Sequence, residues 1–383
     1  MDNLTHSLVG LAAAKAGLER LSPAATTLCV IAANAPDADI ISTLGGRWAY
    51  LHHHRGITHS IIGTIALAIL VPVLFWLGDQ LVARIAGRET RMNFRGLLTA
   101  SIIVSATHPL LDWTNNYGIR PLLPWNSKWY YGDLVFILDP WIWLIFGGAC
   151  FLVTTKSKWQ VIGWSLLATI LTLLIVLVPI LRPGSVFPFA ATVVWLLCLA
   201  ALIVTYRTPF ARRAGAAIPL TAFAILLVYW GGLAILHGGA LYRSEKFATS
   251  IASSRGETLN RIATMPALAN PLRWQCVFET DRATYRFDLS LIQPDIVGET
   301  KRYEKPTGDE ASQYAIAAND ERAKIFLGFA RFPVTRINGD CLSETLVEFA
   351  DLRYTEPGRS RGGTFTLDVP VECPPPTGAL ETK

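Results

Sequence analysis

Six of the seven histidines fall in the first 108 residues: His6, His52, His53, His54, His59 and His108. Asp37 and Asp39 lie nearby in Asn34-Ala-Pro-Asp-Ala-Asp39, and Asp112 follows His108 by one helical turn. Imidazole with carboxylate is a donor set for zinc, manganese or iron rather than for calcium or magnesium. The surrounding sequence is apolar enough to lie in a bilayer. An ionisable side chain there is costly unless it pairs, binds an ion or lines a wet cavity. These residues therefore predict a divalent metal site at a membrane face, with zinc the first choice and manganese the second.

The spacing refines the ligand set. His108 and Asp112 are four apart, which stacks them on one helix face, although Pro109 between them removes a backbone donor. In His54-Arg55-Gly56-Ile57-Thr58-His59, Gly56 permits a tight path that lets His54 and His59 flank one cavity. Thr58 is placed to cap the next helix. Arg55 offers a fork suited to phosphoryl oxygens. Two carboxylates, one residue apart after Pro36, exceed what a helix-ending turn needs, so Asp37 is read as a ligand and Asp39 as a general base. His6 completes the expected metal set of His6, Asp37, His54, His59, His108 and Asp112. Asp133 and Asp139 are candidates to anchor imidazole N–H groups, and Asp139-Pro140 equally reads as a helix start. Two divalent ions against Asp37, Asp39 and Asp112 leave a positive site that attracts an anion. A phosphoester is therefore the expected substrate class, and one or two ions are both open.

These residues need elements to carry them. The chain has 383 residues, 51% hydrophobic and 16% charged. Asp, Glu, Lys and Arg are absent from 59–78, 160–181, 186–206 and 214–237, and 134–154 holds only Asp139. About twenty such residues cross the hydrocarbon core as a helix. With 96–112, and the weaker segments 4–18 and 22–41, the prediction is about eight helices. The formal charge of +5 reflects topology rather than nucleic-acid binding. Basic residues gather in alternate loops around Arg20, Arg84–Arg95, Lys156–Lys158 and Arg207–Arg213, which the positive-inside rule puts in the cytoplasm. Both termini then lie outside it, and four helices bring every candidate ligand to the outer face. The N-terminus lacks a basic region, so a cleavable signal peptide is not expected.

After Gly238-Gly239, read as a helix C-cap, the chain becomes soluble-like. The division is 1–240, a transmembrane helical domain with the metal site, and 241–383, a small α+β extracytoplasmic domain. Expected there are a helix over 245–263, a hairpin from 273–279 and 285–291, a helix over 310–328, and a strand pair from 345–354 and 364–371. His237 is expected at a helix end, against the dipole. Cys29, Cys150 and Cys198 read as apolar fillers. Cys276, Cys341 and Cys373 permit at most one internal disulfide.

Thr5-His6-Ser7, Pro36-Asp37-Ala38-Asp39, His54-Arg55-Gly56-Ile57-Thr58-His59-Ser60 and His108-Pro-Leu-Leu-Asp112 together resemble the predicted membrane-bound metal-dependent hydrolases of the YdjM type. The resemblance is strongest in the membrane half. It extends outward through Asn270–Trp274, Phe326–Pro333 and Asp351–Tyr354. A fainter similarity links the order His6, Asp37, His59, His108, Asp112 to zinc-dependent phospholipases C, without their later His-x3-Glu. The expectation is an integral inner-membrane hydrolase acting at the extracytoplasmic face on a phosphoester of a lipid or lipid-linked substrate. Two alternatives are a transporter of metal ions or protons, and a non-catalytic assembly or regulatory protein stapled by its metal.

Overall fold

The computed structural model describes residues 1–181, 189–293, 296–339, 345–358 and 365–371. Helices dominate the first two thirds: α1 (Asn3–Lys15), α2 (Ala25–Asn34), α3 (Arg47–His53), α4 (Ile61–Ala86), α5 (Phe94–Trp113), α6 (Pro140–Thr154), α7 (Lys158–Leu181), α8 (Phe189–Arg207), α9 (Phe210–Ala214) and α10 (Ala217–Ser254). Among the described residues, five are long and apolar enough to cross a bilayer: α4, α5, α7, α8 and α10. α6 is a shorter apolar helix. Their outward faces carry exposed isoleucine and leucine, among them Ile62, Ile65, Ile69, Leu166 and Leu197, as a lipid-facing surface requires.

The chain forms two compact units. The first comprises 1–39, 55–239 and 265–273; the second comprises 40–54, 240–264 and 274–383. In the first unit, α1 and α2 are short and rich in small residues because they pack closely. A Cβ on Gly10 would stand 2.6 Å from the Cys29 carbonyl oxygen. Leu28, Cys29, Ala32 and Ala33 of α2 share a buried cluster with Leu97, Ala100 and Val104 of α5. A second cluster joins Leu8 and Val9 of α1 to Ile142, Trp143 and Phe146 of α6. Cys29 and Cys150 are buried and Cys198 is partly buried, all as free thiols.

Two expectations about helices change. Segment 22–41 is not one rod: α2 ends at Asn34 and Ala35–Gly45 continues as 3-10 turns, because Pro36 cannot continue the α-helical bonding. Gly238-Gly239 does not end the last span. α10 runs 38 residues through both glycines to Ser254, since paired glycine weakens a helix without blocking its hydrogen bonds. His237 is accordingly a mid-helix residue rather than a C-terminal one.

The second unit contains α3, the end of α10, helices α11 (Gly308–Ala318) and α12 (Glu321–Phe329), and most of two sheets. One sheet has the order β1 (Leu259–Ala267), β2 (Asn270–Thr280), β3 (Ala283–Ser290), β4 (Ile296–Glu304); the other has β5 (Pro333–Asn338), β6 (Thr345–Asp351), β7 (Thr366–Val371). The expected strand pair is present as β6 and β7, antiparallel with Phe349 opposite Leu367. The helix expected to reach residue 263 stops at 254, and 259–267 is strand. The helix expected over 310–328 is two, because Asp320 caps a new start with its carboxylate on the Arg322 amide, 2.7 Å away. Cys276 is buried and free, while Cys341 and Cys373 lie outside the described residues.

Candidate metal centre

Four elements of the first unit deliver the cluster. Asp2 caps α1 by accepting the Thr5 amide at 2.9 Å, which sets the first turn and its His6. The 3-10 turns after α2 carry Asp37 and Asp39. A 3-10 turn over Ile57–His59 carries His59 and is closed by Ser60, whose hydroxyl caps α4 by accepting from Gly63 N at 3.1 Å. The turn lies directly on α4: a Cβ on Gly63 would sit 1.8 Å from the Ile57 carbonyl oxygen. His108 and Asp112 stand one turn apart near the end of α5.

Asp37, His59, His108 and Asp112 each offer a ligand atom within 4.8 Å of all the others. His59 Nε2 is 3.1 Å from His108 Nε2, 3.3 Å from Asp37 Oδ1 and 3.3 Å from Asp112 Oδ2. His108 Nε2 is 3.3 Å from Asp112 Oδ2 and 3.6 Å from Asp37 Oδ1. Four donors about 2.0–2.2 Å from one zinc ion, arranged tetrahedrally, are about 3.3–3.6 Å apart. Four edges of the quartet, at 3.3–3.6 Å, have the lengths of a tetrahedral coordination shell, and the His59–His108 edge, at 3.1 Å, is slightly shorter. The side chains of His59 and His108 are wholly buried and that of Asp112 nearly so, at 1% exposed.

The outer ring nitrogens set the tautomers. His108 Nδ1 lies 2.6 Å from the Ala33 carbonyl oxygen, so Nδ1 carries the proton and Nε2 keeps its lone pair for a cation. His59 Nδ1 faces Asp39 Oδ2 at 3.3 Å and Thr58 Oγ1 at 3.1 Å. Asp39, read from the sequence as a general base, thus stands against the outer nitrogen of the His59 ring. His6 is fully buried, stacks on His108 with centroids 3.7 Å apart, and has Nε2 3.5 Å from Asp112 Oδ1. Neither of its ring nitrogens makes a hydrogen bond. The Met1 amino group also ion-pairs with Asp112 Oδ1.

Arg55 is buried, not open to a ligand. Its Nη1 donates to the Asp112 and Gly118 carbonyls and to Asn115 Oδ1, its Nη2 donates to Asp112 Oδ1 at 3.0 Å, and its guanidinium lies over the Tyr117 ring. His54 ends α3 in the second unit, its ring stacked on Tyr50. Asp139 caps α6 through the Trp141 and Ile142 amides and accepts from Tyr229 at 2.9 Å, so its role is that of the helix start. Asp133 is buried with φ +52°. Sequence reasoning missed the partners of these residues: the Ala33 carbonyl on His108, Thr58 Oγ1 on His59 and Asn115 Oδ1 on Arg55. Asn115 alone carried a signal, three residues past Asp112.

Residues 1–185 match the family described as YdjM inner membrane protein, and every ligand of the quartet falls within them. The chain is also similar to YfhP of Bacillus subtilis (strain 168), an uncharacterized protein, with 27% identity over 154 residues. That alignment covers 38% of this chain and 43% of YfhP, so the chain spans less than half the length of that relative. No solved structure matches. The match thus covers the part of the chain that holds the cluster able to bind a metal ion, and the chain carries five helices long and apolar enough to cross a membrane among its described residues.

Proposed function

We propose that this YdjM-family membrane protein is a metal-dependent hydrolase that cleaves a phosphoester of a lipid or lipid-linked substrate at the extracytoplasmic face. The tetrahedral spacing of His59 Nε2, His108 Nε2, Asp37 Oδ1 and Asp112 Oδ2 carries the reading. Structural zinc sites are commonly rich in cysteine, whereas histidine with a carboxylate is the donor set of hydrolytic ones. A bound divalent ion supplies Lewis acidity and an acidified water. The chain's part is to present both Nε2 lone pairs, to hold the Nδ1 protons on Ala33 and Asp39, and to exclude bulk solvent.

The lipid assignment rests on what surrounds the ligands. Ile57 and Ile61 flank His59 and are 50% and 57% exposed; Leu110 and Trp113 flank Asp112 at 57% and 42%. Apolar exposure at the level of the ligands suits a substrate arriving from the bilayer. The placement of basic loops supports the outer face. Purified protein loaded with zinc should release product from phospholipid or polyprenyl-phosphate vesicles. His108→Ala and Asp37→Asn should abolish release.

One observation favours a second reading. Four protein ligands can close a tetrahedron around one ion, as in sites where metal only joins helices. In that case substrate-like anions leave the spectrum of a cobalt-substituted centre unchanged. In the hydrolase reading they shift it.

A further inference from the structure

We infer that Arg55 is a positioning residue that aims Asp112 at the metal centre and closes the chain segment bearing Asp39. The inference rests on the metal reading above. Residues 40–54 leave the first unit and the chain returns to it at Arg55. At that return the Arg55 backbone N–H donates to Asp39 Oδ2 at 2.9 Å. The same carboxylate oxygen faces His59 Nδ1 at 3.3 Å. Arg55 thus reaches one ligand, His59, through Asp39.

It reaches a second through its side chain. Nη2 donates to Asp112 Oδ1 at 3.0 Å, leaving Oδ2 turned towards His59 and His108, 3.3 Å from each Nε2. The guanidinium is itself fixed by the Asp112 and Gly118 carbonyls and Asn115 Oδ1, at 3.0–3.3 Å, and by the Tyr117 ring. The residue is only 3% exposed. A planar fork can serve these directions together, whereas an ammonium cannot. The backbone shows what this placement costs. Arg55 adopts φ +51°, in the left-handed region that disfavours residues with a Cβ. Glycine would suit that backbone better, so the guanidinium is what the position requires.

The three carboxylates Asp37, Asp39 and Asp112 are also balanced by this arrangement. Arg55 offsets negative charge there, beside the Met1 amino group on the same Asp112 oxygen and a divalent ion. Without an internal cation, a one-ion cluster would carry a net charge into a buried site, at high cost.

The test uses the full chain purified in detergent, with zinc affinity measured by chelator competition and folding by melting of the metal-free protein. Arg55→Lys keeps the charge but loses the fork. Arg55→Gly relaxes the backbone and removes the group. Both should bind zinc about 10–100-fold more weakly, the range for loss of a group that orients a metal ligand. Non-denaturing guanidinium should restore the affinity of Arg55→Gly and leave Arg55→Lys weak. A merely structural role would lower the melting temperature without rescue of zinc binding, and that result overturns the proposal. So does zinc binding at wild-type affinity in both variants. If Arg55→Gly fails to fold, Arg55→Lys decides by itself. Absence of zinc binding by the wild type would sink the metal reading, a different failure from unchanged affinity in the variants.

Discussion

His108 holds one nitrogen against a backbone carbonyl and turns the other towards three further donors. This lets a buried imidazole stay neutral and ready for a cation. Asp39 does the same for His59 with a side chain, which can be changed by mutation. In Asp39→Asn an amide can donate to Nδ1, driving the ring proton to Nε2 and blocking the ligand position. Zinc affinity should fall by about tenfold or more, measured by chelator competition, while metal-free melting stays near wild type. Unchanged affinity would remove Asp39 from the centre. At this scale the sequence was informative because the background is so apolar: Asp37, His59, His108 and Asp112 stand out against it, and all four meet. The tasks of Arg55 and Asp39 were not legible, since a charge in a loop carries no mark of whether it faces solvent, substrate or a buried partner.

At the scale of elements, the cluster depends on short turns lying against long helices. Gly63→Ala would drive a methyl group into the Ile57 carbonyl and push the His59 turn off α4. We expect a loss of about 1–3 kcal/mol with weaker zinc binding, read by thermal melting and competition. In the second unit, Asp351 and Arg353 form an ion pair with both side chains fully buried. Arg353→Met should cost about 3–5 kcal/mol by leaving the carboxylate uncompensated, seen as a lower melting temperature. Glu257, just before β1, joins Thr280 of β2, Tyr285 of β3 and Arg302 of β4. Burial pushes its carboxyl up, but hydrogen bonds from Thr280, Tyr285 and Arg302 prevail and hold it below its usual value. That stabilisation is complete above the unfolded carboxyl pKa of about 4.3 and is lost as pH falls through the lower folded value. Glu257→Gln should therefore melt below wild type at pH 7, and the gap should close in acid. Spans α4, α5, α7 and α8 were legible from charge-free length. The end of α10 was not, because Gly238-Gly239 looks the same in a cap and inside a helix, and only the partners of residues 240–254 decide. Strand β1 was missed for a related reason: its mixed exposure mimics a helix period.

For the whole molecule, the proposed topology assigns the basic loops at Arg84–Arg95 and Lys156–Lys158 to the cytoplasm and residue 383 to the outside. A reporter fused after residue 383 should be active only outside the cytoplasm, and a reporter in the loop at residue 89 only inside. The reverse pattern would move the proposed substrate to the inner leaflet. The most direct test of the account is metal analysis of the full chain, purified without chelator and titrated with zinc, alongside His108→Ala and Asp37→Asn. The account predicts that the wild type retains at least one divalent ion per chain and that both variants lose it while keeping their helical content. Equal metal content in all three proteins, or none in the wild type, would contradict it.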